Sequence, residues 1–195
     1  MPRITEQQRQ VRRHQILDAA RRLFTVNGFH ATSMDDIIAA AGMSSGGVYR
    51  YFPGKDAIVT AIAQDVVGAL TATVSDLLDE DPVPQLADAL CRLVVNVDAT
   101  ADESGRLVML VWVEAQRDPA IARLAASSAR TLRSAVLELV RHAHAAGQLP
   151  QYGDLEALGQ VVFSLLQGYL VQKRVIGDVD PARYTDAINA LLRTG

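Results

Sequence analysis

Apolar residues recur at helical spacing along nearly the whole chain, and no segment keeps the strict alternation of a strand. The first helix carries Ile16, Leu17, Ala20, Leu23 and Phe24 on one side. Thr5 with Gln8 offers it a capping box, and Asn27-Gly28 is a left-handed stop. Ser33 with Asp36 opens a second helix whose Ile37, Ile38 and Ala41 meet that apolar side. A tight turn follows, Ala41-Gly42-Met43-Ser44, with glycine where the backbone needs a positive φ. Ser44 caps a short third helix carrying Val48 and Tyr51 or Phe52, and Pro53-Gly54 ends it. A fourth helix over 55–78 bears the stripe Ile58, Ile62, Val66, Leu70, Val74 and Leu77, until Asp79-Glu80-Asp81 and two prolines break it. Further helices are expected over 84–98, over 102–117 through Thr100-x-x-Glu103, and from Asp118-Pro119 to Ala146-Gly147. The last two are expected over 154–176 and 181–192.

The expectation is an all-α protein of nine helices. A three-helix unit over 1–54 precedes a larger helical unit over 55–195. Two short helices joined by a tight turn have the layout of a helix-turn-helix that reads DNA. The third helix begins Ser44-Ser45-Gly46-Gly47, so its backbone lacks bulk and can approach bases or phosphates. Helix N-termini attract phosphate through free N–H groups and the helix dipole. Tyr49, Arg50 and Lys55 add a phenol and two cations suited to phosphate contact, and Arg50 also has the reach to read guanine. Tyr51 and Phe52 fit the core at least as well as a DNA face, and Lys55 also fits a solvated helix start.

Composition sharpens this. The chain is 49% hydrophobic and only 5% aromatic, so its core is built mainly of Ala, Leu and Val, which favours helix. The net charge of −3 hides an asymmetry: residues 1–60 hold eight Lys or Arg against five acids, and the rest is net acidic. A basic end on an acidic body suits one polyanion-binding face. No apolar run approaches the ~20 residues that span a bilayer, and MPRITEQQRQVRRHQ has no apolar core of a secretory signal. A soluble cytoplasmic protein with no membrane partner is expected. A single cysteine, Cys91, excludes an internal disulfide and reads as a small core residue.

One pattern is specific. Ile16-Leu17-x-Ala19-Ala20-x-x-Leu23-Phe24, Gly28-Phe29, Ala31-Thr32, Met34, Ile37-Ile38, Ala41-Gly42-Met43-Ser44, Val48-Tyr49-Arg50-Tyr51-Phe52 and Lys55-Asp56 follow in order. At these residues the chain closely resembles the tetracycline-repressor-like (TetR) family of bacterial transcription regulators. The resemblance covers about a quarter of the chain at motif level and implies a homodimer, a palindromic operator and a carboxy-terminal pocket for a small effector. Carried over by position, Thr32 and Ser33 match the backbone-contacting start of the second helix. Ser45 and Gly47 match base-facing positions, and Tyr49, Arg50 and Lys55 match phosphate or base contacts. Position 45 is often Lys or Arg in relatives and is Ser here, which shifts base reading toward Arg50, water and DNA shape.

The remaining residues carry no comparable motif. DLEALGQVVFSLLQGYLVQKRVIG is apolar nearly all round and is therefore buried on more than one side. Leu158, Val162, Leu166 and Tyr169, with Tyr184 and Ile188 of the last helix, are candidates for a dimer interface; the alternative is that both faces pack within one monomer. A ligand pocket is apolar with a few placed polar groups. Asn96 and Gln167 interrupt apolar runs, and Trp112 has Met109 and Gln116 at neighbouring helical positions. With Val66, Leu70 and Phe163 these are the candidate pocket residues. Gln167 suits a ligand hydrogen bond or a bridge across a dimer.

Enzymatic readings fail. His142-x-His144 on a helix points its imidazoles about 200° apart, and no phosphate loop or serine elbow is present. No catalytic residue, metal or cofactor is expected. A purely protein-binding helical adaptor is the remaining rival. The reading is a ligand-responsive transcriptional regulator, most simply a repressor. A small, mostly apolar molecule releases it by shifting the fourth helix between pocket and DNA.

Overall fold

The computed structural model describes residues 5–100, 105–149 and 153–192. Nine α-helices lie among them: α1 Glu6–Asn27, α2 Met34–Ala41, α3 Ser45–Tyr49, α4 Lys55–Leu78, α5 Leu86–Thr100, α6 Arg106–Glu114, α7 Pro119–Ala145, α8 Leu155–Val171 and α9 Pro181–Leu192. No strand occurs among the described residues.

The helix ends follow from local chemistry. Thr5 and Gln8 form the expected capping box on α1, and Ser33 and Asp36 form one on α2. Asp118 accepts from the N–H groups of Ala120 and Ile121, with Pro119 in the first turn of α7. Asp154 caps α8 through Ala157. Three boundaries differ from expectation. α5 starts at Leu86, whose N–H is taken by Oε1 of Gln148, 62 residues later. α6 ends at Glu114, because Ala115–Arg117 close into a turn. The last turn before Gly177, Gln172–Ile176, is a π-helix. The expected Thr100-x-x-Glu103 start of α6 falls on residues outside those described.

Two apolar clusters hold the fold. The first joins Ile16, Leu17, Phe24, Ile37 and Val48 to Ile58 and Ile62 of α4, and to Leu107 and Ile121 of the body. One packed cluster therefore runs across residue 54. A charged clamp reinforces it: Asp65 of α4 meets Arg21 at 2.8 Å and Arg13 at 3.5 Å, both on α1. The second cluster joins α4, α5, α7, α8 and α9 around Leu77, Leu90, Val94, Val140 and Tyr169. Half-buried Cys91 belongs to it, with Sγ 3.5 Å from the carbonyl oxygen of Thr185. By length and composition α4 is apolar enough to cross a membrane, contrary to the reading of the bare sequence. Its apolar residues instead complete the first cluster and face the cavity described next.

Candidate functional site

Two features stand out, one at each end of α4. The first is the face made by α2 and α3. Gly42 takes φ +62°, which a Cβ would strain, and the chain reverses there with Gly42 N–H donating to the Ala39 carbonyl at 3.1 Å. Ser44 Oγ accepts from Gly47 N–H at 3.2 Å and opens α3. A Cβ at Gly47 would lie 3.1 Å from that Oγ, so this glycine serves the cap itself. At Gly46 a Cβ would meet nothing within 4 Å, so nothing in the fold requires the glycine. Ser45, Gly46, Tyr49 and Arg50 are exposed, and the Arg50 guanidinium has no ion pair or hydrogen bond among the described residues. Underneath, Gln15 Nε2 donates to the Ala41 carbonyl at 2.7 Å and ties α1 to the turn.

The second feature is a cavity of about 150 Å³ between α4, α6, α7 and α8. Val66, Leu70, Leu93, Val111, Leu132 and Leu166 are among the apolar groups lining it. Ser128, Gln167 and Trp112 are the described lining residues that carry a polar side-chain atom. Phe24 and Phe29 also line it, although they belong to the first three-helix unit and its core. Their rings stack with centroids 4.7 Å apart.

A helix-turn-helix with an exposed, unpaired arginine, fused to a helical body around an apolar cavity, matches known proteins along most of its length. The family model for bacterial regulatory proteins of the tetR family matches residues 16–62, and that for the C-terminal part of BetI-type transcriptional repressors matches residues 82–194. The chain belongs to the TetR family. It is a helix-turn-helix transcriptional regulator, not an enzyme. It is 25% identical over 183 residues to the HTH-type transcriptional regulator UidR of Escherichia coli K12, covering 92% of this chain and 90% of that one. It is 26% identical over 189 residues to the regulator BetI of Rhizobium meliloti, covering 94% and 90%. Among solved structures, Salmonella enterica GusR superposes with a TM-score of 0.80 at 25% identity, covering 98% of this chain and all of the other.

In this TetR-family chain several expected site residues have other duties. Thr32 is fully buried, and its Oγ1 donates to the Gly28 carbonyl at 2.8 Å, so its side chain is not a phosphate contact. Lys55 is likewise not free. Its Nζ donates to the carbonyls of Phe29 (2.7 Å) and Thr32 (3.0 Å), and it sits 5.5 Å from the centre of the Phe29 ring. The spacing that suggested a phosphate grip places the ammonium against orphan carbonyls of the α1–α2 loop. Ser33 Oγ donates to Asp36 at 2.6 Å while accepting from the Asp36 N–H. These bonds from Ser33 hold the exposed Asp36 carboxyl below the usual carboxylate range.

Of the expected pocket residues, Val66, Leu70, Trp112, Phe163 and Gln167 line the cavity. Asn96 does not: its Nδ2 donates to Thr73 Oγ1 of α4 at 3.3 Å. Met109 is half-buried off the lining face, and Gln116 is exposed because α6 has ended before it.

Much of the expected dimer stripe packs within its own chain. Val162, Tyr169 and Ile188 are buried inside the single chain, Leu158 packs on the same cluster, and Leu166 lines the cavity. Tyr184 donates from its hydroxyl to the Leu165 carbonyl at 2.8 Å and packs on Tyr169. α5 and α7 of the same chain pack on α8, and α5 packs on α9, yet Leu158, Leu166 and Tyr184 stay half-buried; Val161 of α8 and Leu191 of α9 are the large apolar groups these two helices leave exposed among the described residues.

Sequence reasoning missed Phe24 and Phe29 as cavity residues, because Phe24 read as head core and Phe29 only as part of the family motif. It also missed His30, whose Nε2 lies 2.6 Å from Oε2 of Glu114 at the end of α6. No spacing rule joins residues 84 positions apart.

Proposed function

We propose that this chain is a cytoplasmic, homodimeric transcriptional repressor that leaves a palindromic operator when a small, uncharged, mostly apolar molecule enters the cavity. The observation that carries this reading is the shared wall: Phe24 and Phe29 line the cavity and also pack in the core that holds α2 and α3. A ligand there presses on the reading head without an intermediary. The described lining holds no Lys, Arg, His, Asp or Glu. An ion would be buried without a partner, at a cost far above that of a neutral molecule. The Gln167 side chain makes no hydrogen bond among the described residues, and its amide suits a single polar group on an otherwise hydrocarbon or aromatic ligand.

On the DNA side, Arg50 and Tyr49 reach phosphates or bases, and Ser45 and Gly46 form the close-approach surface. A second copy would cover Val161 and Leu191 and place two heads on successive major grooves. The relatives UidR and BetI, named as transcriptional regulators, support the DNA partner.

Fluorescence anisotropy against the intergenic DNA beside the chain's own gene, with a scrambled duplex and a salt series, tests the first half. Selective binding that weakens with salt is expected; no binding at low salt would leave a helical adaptor instead. For the second half, the neutral naphthalene dye prodan is loaded and displaced by decanol, decanoate or decyltrimethylammonium. Decanol should compete at least tenfold better than either ion, and equal competition by an ion would overturn the uncharged-ligand reading. Sedimentation of Val161→Glu should show monomer where wild type shows dimer.

A further inference from the structure

The loop between α1 and α2 is six residues long, Gly28 to Ser33, and every part of the proposed switch touches it. Phe29 is a piece of the cavity wall, and its carbonyl holds Lys55, the first residue of α4. Thr32 closes the loop on itself through the Gly28 carbonyl, and Ser33 caps α2. The loop is therefore stiff, and a push at one end arrives at the other.

His30 gives this loop a second handle on the body. Glu114 is the last residue of α6, and its carboxylate is only 12% exposed, whereas His30 is 68% exposed. A carboxylate at a helix C-terminus faces the negative end of the dipole and is unfavourable there without a donor. The imidazole N–H supplies one at 2.6 Å, a short charge-assisted bond. Two residues earlier on the same helix is Trp112, and α6 also gives Leu107, Val108, Leu110 and Val111 to the cavity.

We propose that the His30–Glu114 bond is a latch that carries displacement of α6 by a ligand into the α1–α2 loop and so into α2 and α3. This rests on the cavity reading above and adds to it a route that bypasses α4. His30 and Glu114 are positioning residues: neither touches the ligand or DNA. Ligand entry that moves α6 pulls His30, and with it the capped start of α2. Coupling is reciprocal, so loss of the latch lowers the effect of ligand on the head and of the head on ligand by one factor.

The test uses prodan as ligand and amide hydrogen exchange over residues 34–49 as readout, on the whole chain. In wild type, dye saturation should change exchange in α2 and α3. In His30→Ala that change should shrink at least threefold while dye affinity stays within twofold. His30→Gln keeps an N–H donor for Glu114 and should restore most of the response, a rescue that a merely structural role does not predict. Both substitutions are at an exposed loop position and should leave the fold intact. A wild-type response in His30→Ala overturns the latch, as does dye uptake with no change in α2 and α3 of wild type. Dye affinity that falls more than twofold in His30→Ala also overturns it, by making His30 part of the cavity wall. Failure of wild type to take up prodan instead overturns the cavity reading itself.

Discussion

The head and the body are fastened by different means. In the first 55 residues the starts of α1, α2 and α3, the end of α2 and the α1–α2 loop are each tied by a named side chain: Thr5 and Gln8, Ser33 and Asp36, Ser44 on Gly47, Gln15 on Ala41, Lys55 on Phe29 and Thr32. The body also has side-chain caps, from Asp118, Asp154 and Asp180 and from Gln148 on Leu86, but its long helices meet mainly through apolar faces, and those faces leave a cavity of about 150 Å³. Directional bonds fix one geometry and apolar contact tolerates several, so the head is held rigidly and the body can deform. The two meet at Phe24 and Phe29, where rigid core becomes cavity wall.

The largest test of that division is a pair of truncations. Leu17 is fully buried in the head core and does not line the cavity, so Leu17→Ala should destabilise the protein by about 3–5 kcal/mol. Leu70 already borders a void, so Leu70→Ala should cost at or below about 2 kcal/mol, the low end for such changes. Thermal and urea unfolding would check both. Equal costs would mean that the cavity wall is as tightly packed as the head.

This contrast also explains what the sequence made legible. Caps and turns are local: Ser33 and Asp36, Ser44 and Gly47, or the positive φ of Gly42 involve residues within a few positions, so the chain itself announces them. The cavity is a sum of contacts between helices far apart in sequence. Helical periodicity correctly nominated Val66, Leu70, Trp112, Phe163 and Gln167 as inward-facing. It had no means of telling Asn96, which finds Thr73, from Gln167, which finds no protein partner among the described residues. The dimer stripe was ambiguous for the same reason. An all-round apolar helix has two faces, and only tertiary packing decides which face its own chain covers. Lys55 was ambiguous in another way: a cation beside a helix-turn-helix fits a phosphate as well as it fits two carbonyls, and spacing does not announce the bonds it makes to Phe29 and Thr32.

A second pair separates scaffold from reader within the head. Lys55→Met removes the donor from two part-buried carbonyls, which should cost about 1–3 kcal/mol. It should leave the salt dependence of operator binding unchanged once folding is allowed for. Arg50→Ala should leave the unfolding midpoint within about 0.5 kcal/mol. It should weaken DNA binding and lower the salt slope by about 1. If Lys55→Met lowered the slope and Arg50→Ala did not, the assignment of the two cations would be reversed.

The smallest effect lies in the body's polar cluster, where bonding is directional as in the head. Tyr169 is fully buried and donates from its hydroxyl to Asp98 at 2.6 Å, and Lys173 holds the same carboxylate at 3.0 Å. Burial and the facing carboxylate push the Tyr169 hydroxyl above its ordinary range, while the Tyr169 and Lys173 bonds hold Asp98 below its own. The signs follow by linkage. A raised Tyr169 contributes stability that is complete below about pH 10, the unfolded value, and is lost as pH rises above it. A depressed Asp98 contributes stability present above about pH 4 and lost as pH falls below it. Tyr169→Phe keeps the ring and leaves Asp98 paired with Lys173, so it should cost only about 1.5 kcal/mol near neutral pH. It should also flatten both limbs of the stability profile. Urea midpoints of wild type and variant, taken across pH 3–11, should converge toward the alkaline end. Parallel profiles would mean that the hydroxyl contributes packing alone, and that the body has no directional fastening at this point to set against the head.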